Sequence, residues 1–441
     1  MKVKYALSLP GKTTALLAVL LTACLVVITL AVACGEEEEG APTPADTPTA
    51  AETGTPTAVG EVPGITDTEI ILGADFILSG AMAAVYATIP QTIEAYFDYV
   101  NDTQGGVCGR EIVYKVEDNQ DDPARALEAV RKLVEQDKVF AIVGSLGDAP
   151  HSAAWEYLNE NEVPDILCTA GAHIFSADPE GRPWTVPMIP GYRMEGTFFG
   201  QYISENLPGK KVAVLYPNLM MGTDLLAGVK DGLDPDKNEI VSEQSYEHMA
   251  VSISSQVHNM KNAGAEVVTT NATPGFSAQA IKQADRLGWH PQWMLSYINA
   301  DEMMFQFVSP ELLDGAITFQ ALKLATWTDD PAVAEHYRIM SEYGGPTPSN
   351  FTIYSQALAE LAVEVLSRSC DNLTREGLMD ALESIENWHG DLLIDGVNIS
   401  FSDTDHTAFQ TARMLRATVE DGKGKWEYFG PLYLFEEQDL E

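Results

Sequence analysis

The side chains that could do chemistry in this chain are few and badly spaced for catalysis. Eight histidines are scattered over 441 residues, and none falls into H-E-x-x-H or a comparable metal-ligating spacing. A serine nucleophile held on a strand-to-helix elbow needs G-x-S-x-G, which does not occur. The nearest counterpart of a phosphate-binding loop is Gly144-Ser145-Leu146-Gly147, which lacks the full glycine pattern and the Lys-Ser/Thr pair. The residues therefore predict no enzyme, no cofactor and no metal centre.

Cysteine offers a different chemistry. Lys2, Lys4 and Lys12 precede an almost uncharged apolar run over residues 13–33, the layout of a secretory signal. Leu30-Ala31-Val32-Ala33-Cys34 resembles a bacterial lipobox, in which a cysteine after small residues is acylated and becomes the mature N-terminus. Leu21-Thr22-Ala23-Cys24 fits the same consensus, but cleavage there would leave an apolar stretch on the mature chain. About 20 apolar residues can also cross a bilayer uncleaved. Each alternative places the body outside the cytoplasm, and Cys34 is the expected lipidation site on the outer face of the cell membrane. After it, residues 34–63 are rich in Glu, Pro, Thr, Ala and Gly without apolar periodicity, as expected of an extended tether.

Stepping from side chains to the elements that must hold them, residues from 64 onward alternate between strand and helix patterns. Strands are predicted at 69–76, 111–116, 139–143 and 165–168, with helices ending near 101, starting at Pro123 behind the Asp122 cap, and over 151–161. A second run predicts helices at 194–206, 223–232, 255–263 and 276–287, and strands at 211–216, 239–246, 266–270 and 292–296. Helices near 331–343, 350–367 and 374–384 precede a tail with strands at 398–401, 409–419 and 426–429. Repeated βα units imply parallel sheets covered by helices, hence an α/β fold with two similar lobes. Ligands of such sheets sit beyond the carboxyl ends of the strands, which singles out the loops at 78–80, 144–148, 170–173 and 218–222. The formal charge of −39 repels phosphate backbones, so nucleic acid is not expected as a partner.

The segments EIILGADFILSG, AYFDYVNDTQGGVCGR, DDPARALEAVRKLVEQDKVFAIV and FSAQAIKQADRLGW, in this order and spacing, resemble type I periplasmic binding proteins of the branched-chain amino acid and amide branch. The resemblance spans roughly residues 64–431. It implies two Rossmann-like lobes joined by three hinge segments, one from 64–187 plus 321–388 and the other from 188–320 plus 389–435. It also implies a solute-binding subunit of an ABC importer, with a permease and ATPase subunits as partners. The same architecture can instead present a solute to a signalling receptor.

Carried over residue by residue, the resemblance places Ser79 and Gly80 beside the ligand. It puts Asp148 where amino acid binders offer Ser or Thr, and Gly171-Ala172-His173 where they end a triplet in a hydroxyl. Met221, Thr273 and Tyr297 match cleft-lining positions of the second lobe. An ionised Asp148 repels a carboxylate and accepts from an ammonium or amide donor, so the expected solute is amino-acid-like, an amide, or a related polar/apolar compound rather than simply Leu, Ile or Val. With the helix ending at Cys370 returned to the first lobe, Cys108 and Cys370 are the expected disulfide, leaving Cys168 as a buried strand thiol.

Overall fold

The computed structural model describes residues 62–80 and 82–434. The expected signal segment, Cys34 and nearly all of the expected tether lie outside the described residues. Among those described, no helix is long and apolar enough to cross a membrane.

The first run contains β1 (Glu69–Phe76), α1 (Ala83–Tyr86), α2 (Thr88–Gln104), β2 (Glu111–Asp118), α3 (Pro123–Arg131), β3 (Ala141–Val143), α4 (Asp148–Glu160), β4 (Asp165–Cys168) and β5 (Thr185–Pro187). Its strands form one parallel sheet in the order β2-β1-β3-β4-β5. The second run contains α5 (Tyr192–Asn206), β6 (Lys211–Pro217), α6 (Met220–Gly232), β7 (Glu239–Tyr246), α7 (Ser254–Asn262), β8 (Val267–Thr270), α8 (Pro274–Arg286), β9 (Gln292–Leu295), α9 (Met304–Phe307), α10 (Pro310–Leu313) and β10 (Ile317–Gln320). Helices α11 (Pro331–Glu342), α12 (Asn350–Arg368) and α13 (Arg375–Glu383) follow, then β11 (Thr411–Glu420) and β12 (Lys423–Leu434). The second sheet runs β12-β11-β10-β9-β8-β6-β7, parallel except for the β10-β11-β12 edge.

Both sheets are covered on two faces, so their central strands are buried throughout rather than alternating between buried and exposed residues. β3 and β8 are buried at every residue. The chain passes between the sheets three times: after β5, after β10, and before β11. Helix α12 returns to the first sheet and packs on α2, with Ile353, Leu358, Leu361 and Val365 among its buried residues. Its start is fixed by a capping box, with Ser349 and Thr352 each satisfying the other's backbone N–H. The Asp-Pro starts work similarly. Asp122 accepts from the N–H groups of Ala124 and Arg125, and Asp330 from those of Ala332 and Val333. The β11–β12 hairpin turns on Asp421-Gly422, both at positive φ, the chemistry a two-residue hairpin loop demands.

Cys108 and Cys370 are bonded, tying the loop before β2 to the end of α12, and Cys168 is buried and free. Several boundaries differ from the sequence reading, and three of the differences follow. Residues 398–401 form no strand, only the single bridge between Trp388 and Ile399. α4 starts at Asp148 instead of 151, because Pro150 falls in the first turn, where no backbone N–H is needed. α6 starts at Met220 instead of 223. Gly222, which reads as a loop residue, is helical there, and glycine is required because a Cβ would lie 1.9 Å from the Pro217 carbonyl oxygen.

Candidate functional site

The strands of the two sheets point their carboxyl ends at one cleft, which holds about 1230 Å³ of space unfilled by protein atoms, its open mouth included. Ile77 follows β1, Asp121 follows β2, the 146–149 turn follows β3, and Thr169 follows β4. From the other sheet come Leu219 and Met221 after β6, His248 after β7, Thr273 after β8 and Tyr297 after β9. The segments between sheets add Ile189, Pro190 and Tyr192 on one pass, and Gln320 and Leu322 on the next. Phe409 comes from the third, while Asn350, Phe351 and Tyr354 project from the start of α12.

Most of this lining is apolar or aromatic. Tyr192 and Tyr297 stack nearly parallel, ring centroids 6.2 Å apart, and the Tyr297 hydroxyl donates to the Pro190 carbonyl at 2.9 Å. The Tyr354 and Thr169 hydroxyls are 2.8 Å apart. Behind Tyr297, the fully buried Glu195 accepts from the Tyr297 N–H and the Ser296 hydroxyl, each at 3.0 Å. Burial pushes its carboxyl up to about 8, so it sits neutral beneath the aromatic wall at neutral pH.

Asp148 opens α4 immediately after Gly147, whose φ of 108° suits glycine. Its carboxylate accepts from the Ala172 N–H at 2.7 Å, and the Gly171 N–H also favours its charged form. Burial outweighs these donors and lifts the carboxyl to about 6. Asp301 is more enclosed. One oxygen accepts from Met303 at 2.9 Å, the other from Asn350 at 2.9 Å and Phe351 at 3.4 Å.

Two polar contacts join segments of the two sheets. His248 Nε2 lies 2.7 Å from Asp121 Oδ2, and the His173 N–H donates to Asp224 Oδ2 at 2.8 Å. The loop carrying Asp121 is pinned by Asn119, whose side chain donates to Asp75 and accepts from the Asp121 N–H. Asp121 raises the affinity of His248 for its proton, partly offset by burial. Met220 adds an apolar contact, packing on the cluster of Cys168, Ala170, Ala172 and Phe175.

Among the described residues, one group could hold a metal ion: His151, Asp165 and Cys168, all buried and within 4.8 Å of one another. His151 Nε2 is 2.9 Å from Asp165 Oδ2. Burial disfavours a charged imidazole, while Asp165 and Cys168 act the other way and together hold the pKa of His151 well above its usual value. The short contact makes His151 and Asp165 an internal pair.

Of the sequence-predicted ligand residues, the cleft lining includes Asp148, Met221, Thr273 and Tyr297. Ser79, Gly80, Gly171, Ala172 and His173 are not part of it. Ser79 is exposed and turns to the end of β2, donating to Asp118 at 2.5 Å, and Gly80 beside it is exposed at φ 89°. Gly171 lies against the Tyr192 ring, with no room for a Cβ. The backbone of Ala172 serves Asp148, and that of His173 serves Asp224. Tyr86, Tyr192, Phe351, Tyr354 and Phe409 were not singled out by the sequence. They look like core aromatics, and only the return of distant segments brings them together.

A family described as "Periplasmic binding protein" matches residues 70–424. A Pseudomonas aeruginosa "Amino acid binding protein" is 26% identical over 258 residues, 57% of this chain and 66% of the relative, so the chain spans just under two thirds of it. A Brucella abortus "Leu/Ile/Val-binding protein homolog 7" is 22% identical over 368 residues, 80% of this chain and 90% of the relative. The solved structure of a Thermus thermophilus branched chain amino acid ABC transporter with bound valine superposes with a TM-score of 0.74 at 18% identity. That match covers 84% of this chain and 97% of the other, a likeness of fold.

Proposed function

The chain belongs to the periplasmic binding protein family, a family of solute-binding proteins and not of enzymes, and on that premise we propose that it captures a small, largely apolar solute for an ABC importer. The solute sits in the cleft between the two sheets, and the loaded protein docks on a permease powered by ATPase subunits. Anchoring through a lipid on Cys34, with residues 35–63 as tether, keeps the body at the outer face of the membrane. The observation that carries the reading is the cleft itself: the carboxyl ends of strands from both sheets converge on it, as ligand sites in open α/β sheets do. Contacts such as His248 to Asp121 exist only when the two sides meet, so a solute touching both sides shifts the population toward closure.

A thermal-shift screen of the body from residue 62 onward tests this. The panel holds branched-chain and aromatic amino acids, short amides, alkyl and aryl amines, and aromatic acids. A bound compound at about 100 times its dissociation constant adds about 2.7 kcal/mol of stability. Turnover of a bound compound on prolonged incubation, or no shift with any member, would remove the basis for solute capture.

A further inference from the structure

The cleft's charge pattern narrows the class of solute, an inference that rests on the solute-binding reading above. A carboxylate is captured by cationic side chains or by unpaired N–H groups at helix and loop starts. No lysine or arginine is among the cleft-lining residues. His248, the one imidazole among them, is taken by Asp121 at 2.7 Å. Just behind the wall, His151 is taken by Asp165 at 2.9 Å.

Four backbone donors at or near the cleft are occupied, each by an internal carboxylate. Asp148 accepts the Ala172 N–H, and Asp224 accepts the His173 N–H. Asp301 accepts the Asn350 and Phe351 N–H groups that open α12. The side chain of Asp148 thus fills the kind of anion-binding niche that a ligand carboxylate would use. It also leaves a carboxylate on the wall with no cationic lining side chain opposite it.

Around it stand aromatic rings, among them Tyr86, Tyr192, Tyr297, Phe351 and Tyr354. The faces of such rings carry partial negative charge and attract cations, most strongly where water is excluded. Apolar walls, aromatic faces, a carboxylate on the wall and the lack of a Lys or Arg in the lining favour one ligand chemistry over another. We infer that the solute is an organic ammonium ion, an alkyl or aryl amine with an apolar body and no carboxylate of its own. Its ammonium group faces Asp148, and its hydrocarbon body lies against the tyrosines.

The test titrates the body with two series matched in shape. One is 2-phenylethylamine, 3-phenylpropionate and phenylalanine; the other is isoamylamine, 4-methylpentanoate and leucine. The better-fitting amine should bind on the order of 100-fold more tightly than its matched acid and its matched amino acid, since the acid meets like charge. Asp148→Asn should weaken that amine roughly tenfold or more while leaving the empty protein at least as stable as wild type at neutral pH. Tighter binding of an acid or amino acid than of its matched amine overturns the inference and leaves solute capture standing. So does binding of another panel compound while both amines fail. If no compound of the wider panel binds, both readings fall together.

Discussion

His248 and Asp121 meet across the mouth of the cleft, Nε2 to Oδ2 at 2.7 Å, although 127 residues separate them. Neither side chain can reach the other unless the ends of β2 and β7 face each other. Asp121 adopts a left-handed backbone with φ of 60°, and the Asn119 side chain holds it there. The pair is therefore both a marker of closure and a contributor to it.

The bridge carries a pH signature. Asp121 raises the folded-state pKa of His248, so its stabilisation is fully present below the unfolded value of about 6.5 and is lost as pH rises through the folded value. The side chains retain 30% and 21% exposure, so solvent screening limits the contribution to about 0.5–1 kcal/mol. His248→Asn should melt below wild type at pH 6, and the gap should shrink by pH 9. A gap of the same size at both pH values, measured by urea unfolding, would show that the loss is one of packing.

Glu195 predicts a second dependence of the same sign. Its folded-state pKa of about 8 lies above the unfolded carboxyl value, so the folded state holds the proton more tightly. Stability from this group is full below about pH 4.5 and declines as pH rises to about 8, by up to about 1.4 kcal/mol per unit. In Glu195→Gln the amide oxygen can accept from Tyr297 while the amide nitrogen donates to a rotated Ser296 hydroxyl. The variant should match wild type near pH 5 and exceed it at pH 8. Parallel urea midpoints across that range would contradict a buried neutral acid.

The Cys108–Cys370 bond spans 262 residues of sequence. Cross-links closing long loops constrain the unfolded chain most, and loss of a native disulfide commonly costs about 2–5 kcal/mol. Cys108→Ser/Cys370→Ser should unfold at lower urea than wild type by an amount in that range. Reducing agent should lower the wild-type midpoint and leave the double variant unchanged. An equal response of both to reductant would place the effect elsewhere.

Much of this fold was legible locally. The pattern of 69–76 matches β1 residue for residue, and Asp122-Pro123 starts α3 where the cap chemistry put it. Asp148 stands just after a strand, where the α/β rule looks, whereas Tyr297 was named only through the family resemblance; both line the cleft. Long-range meetings were not. Phe351 and Tyr354 reach the cleft only because α12 crosses back to the first sheet, and a local pattern cannot report which distant strand a helix will cover. The packing of the loop after β4 was not legible locally either: Gly171 is small to admit Tyr192, and the Ala172 backbone serves Asp148.

The central claim, that one solute binds between the sheets, is tested most directly by calorimetric titration of wild type beside a variant with the cleft filled. Thr273 lines the cleft at the start of α8 and makes no side-chain cap, so Thr273→Trp adds bulk there without removing a hydrogen bond that holds the helix. The best compound from the screen should bind wild type at one per chain. It should bind Thr273→Trp at least about tenfold more weakly, while the empty variant melts within a few degrees of wild type. Unchanged affinity in the filled variant would place the solute elsewhere and contradict the account.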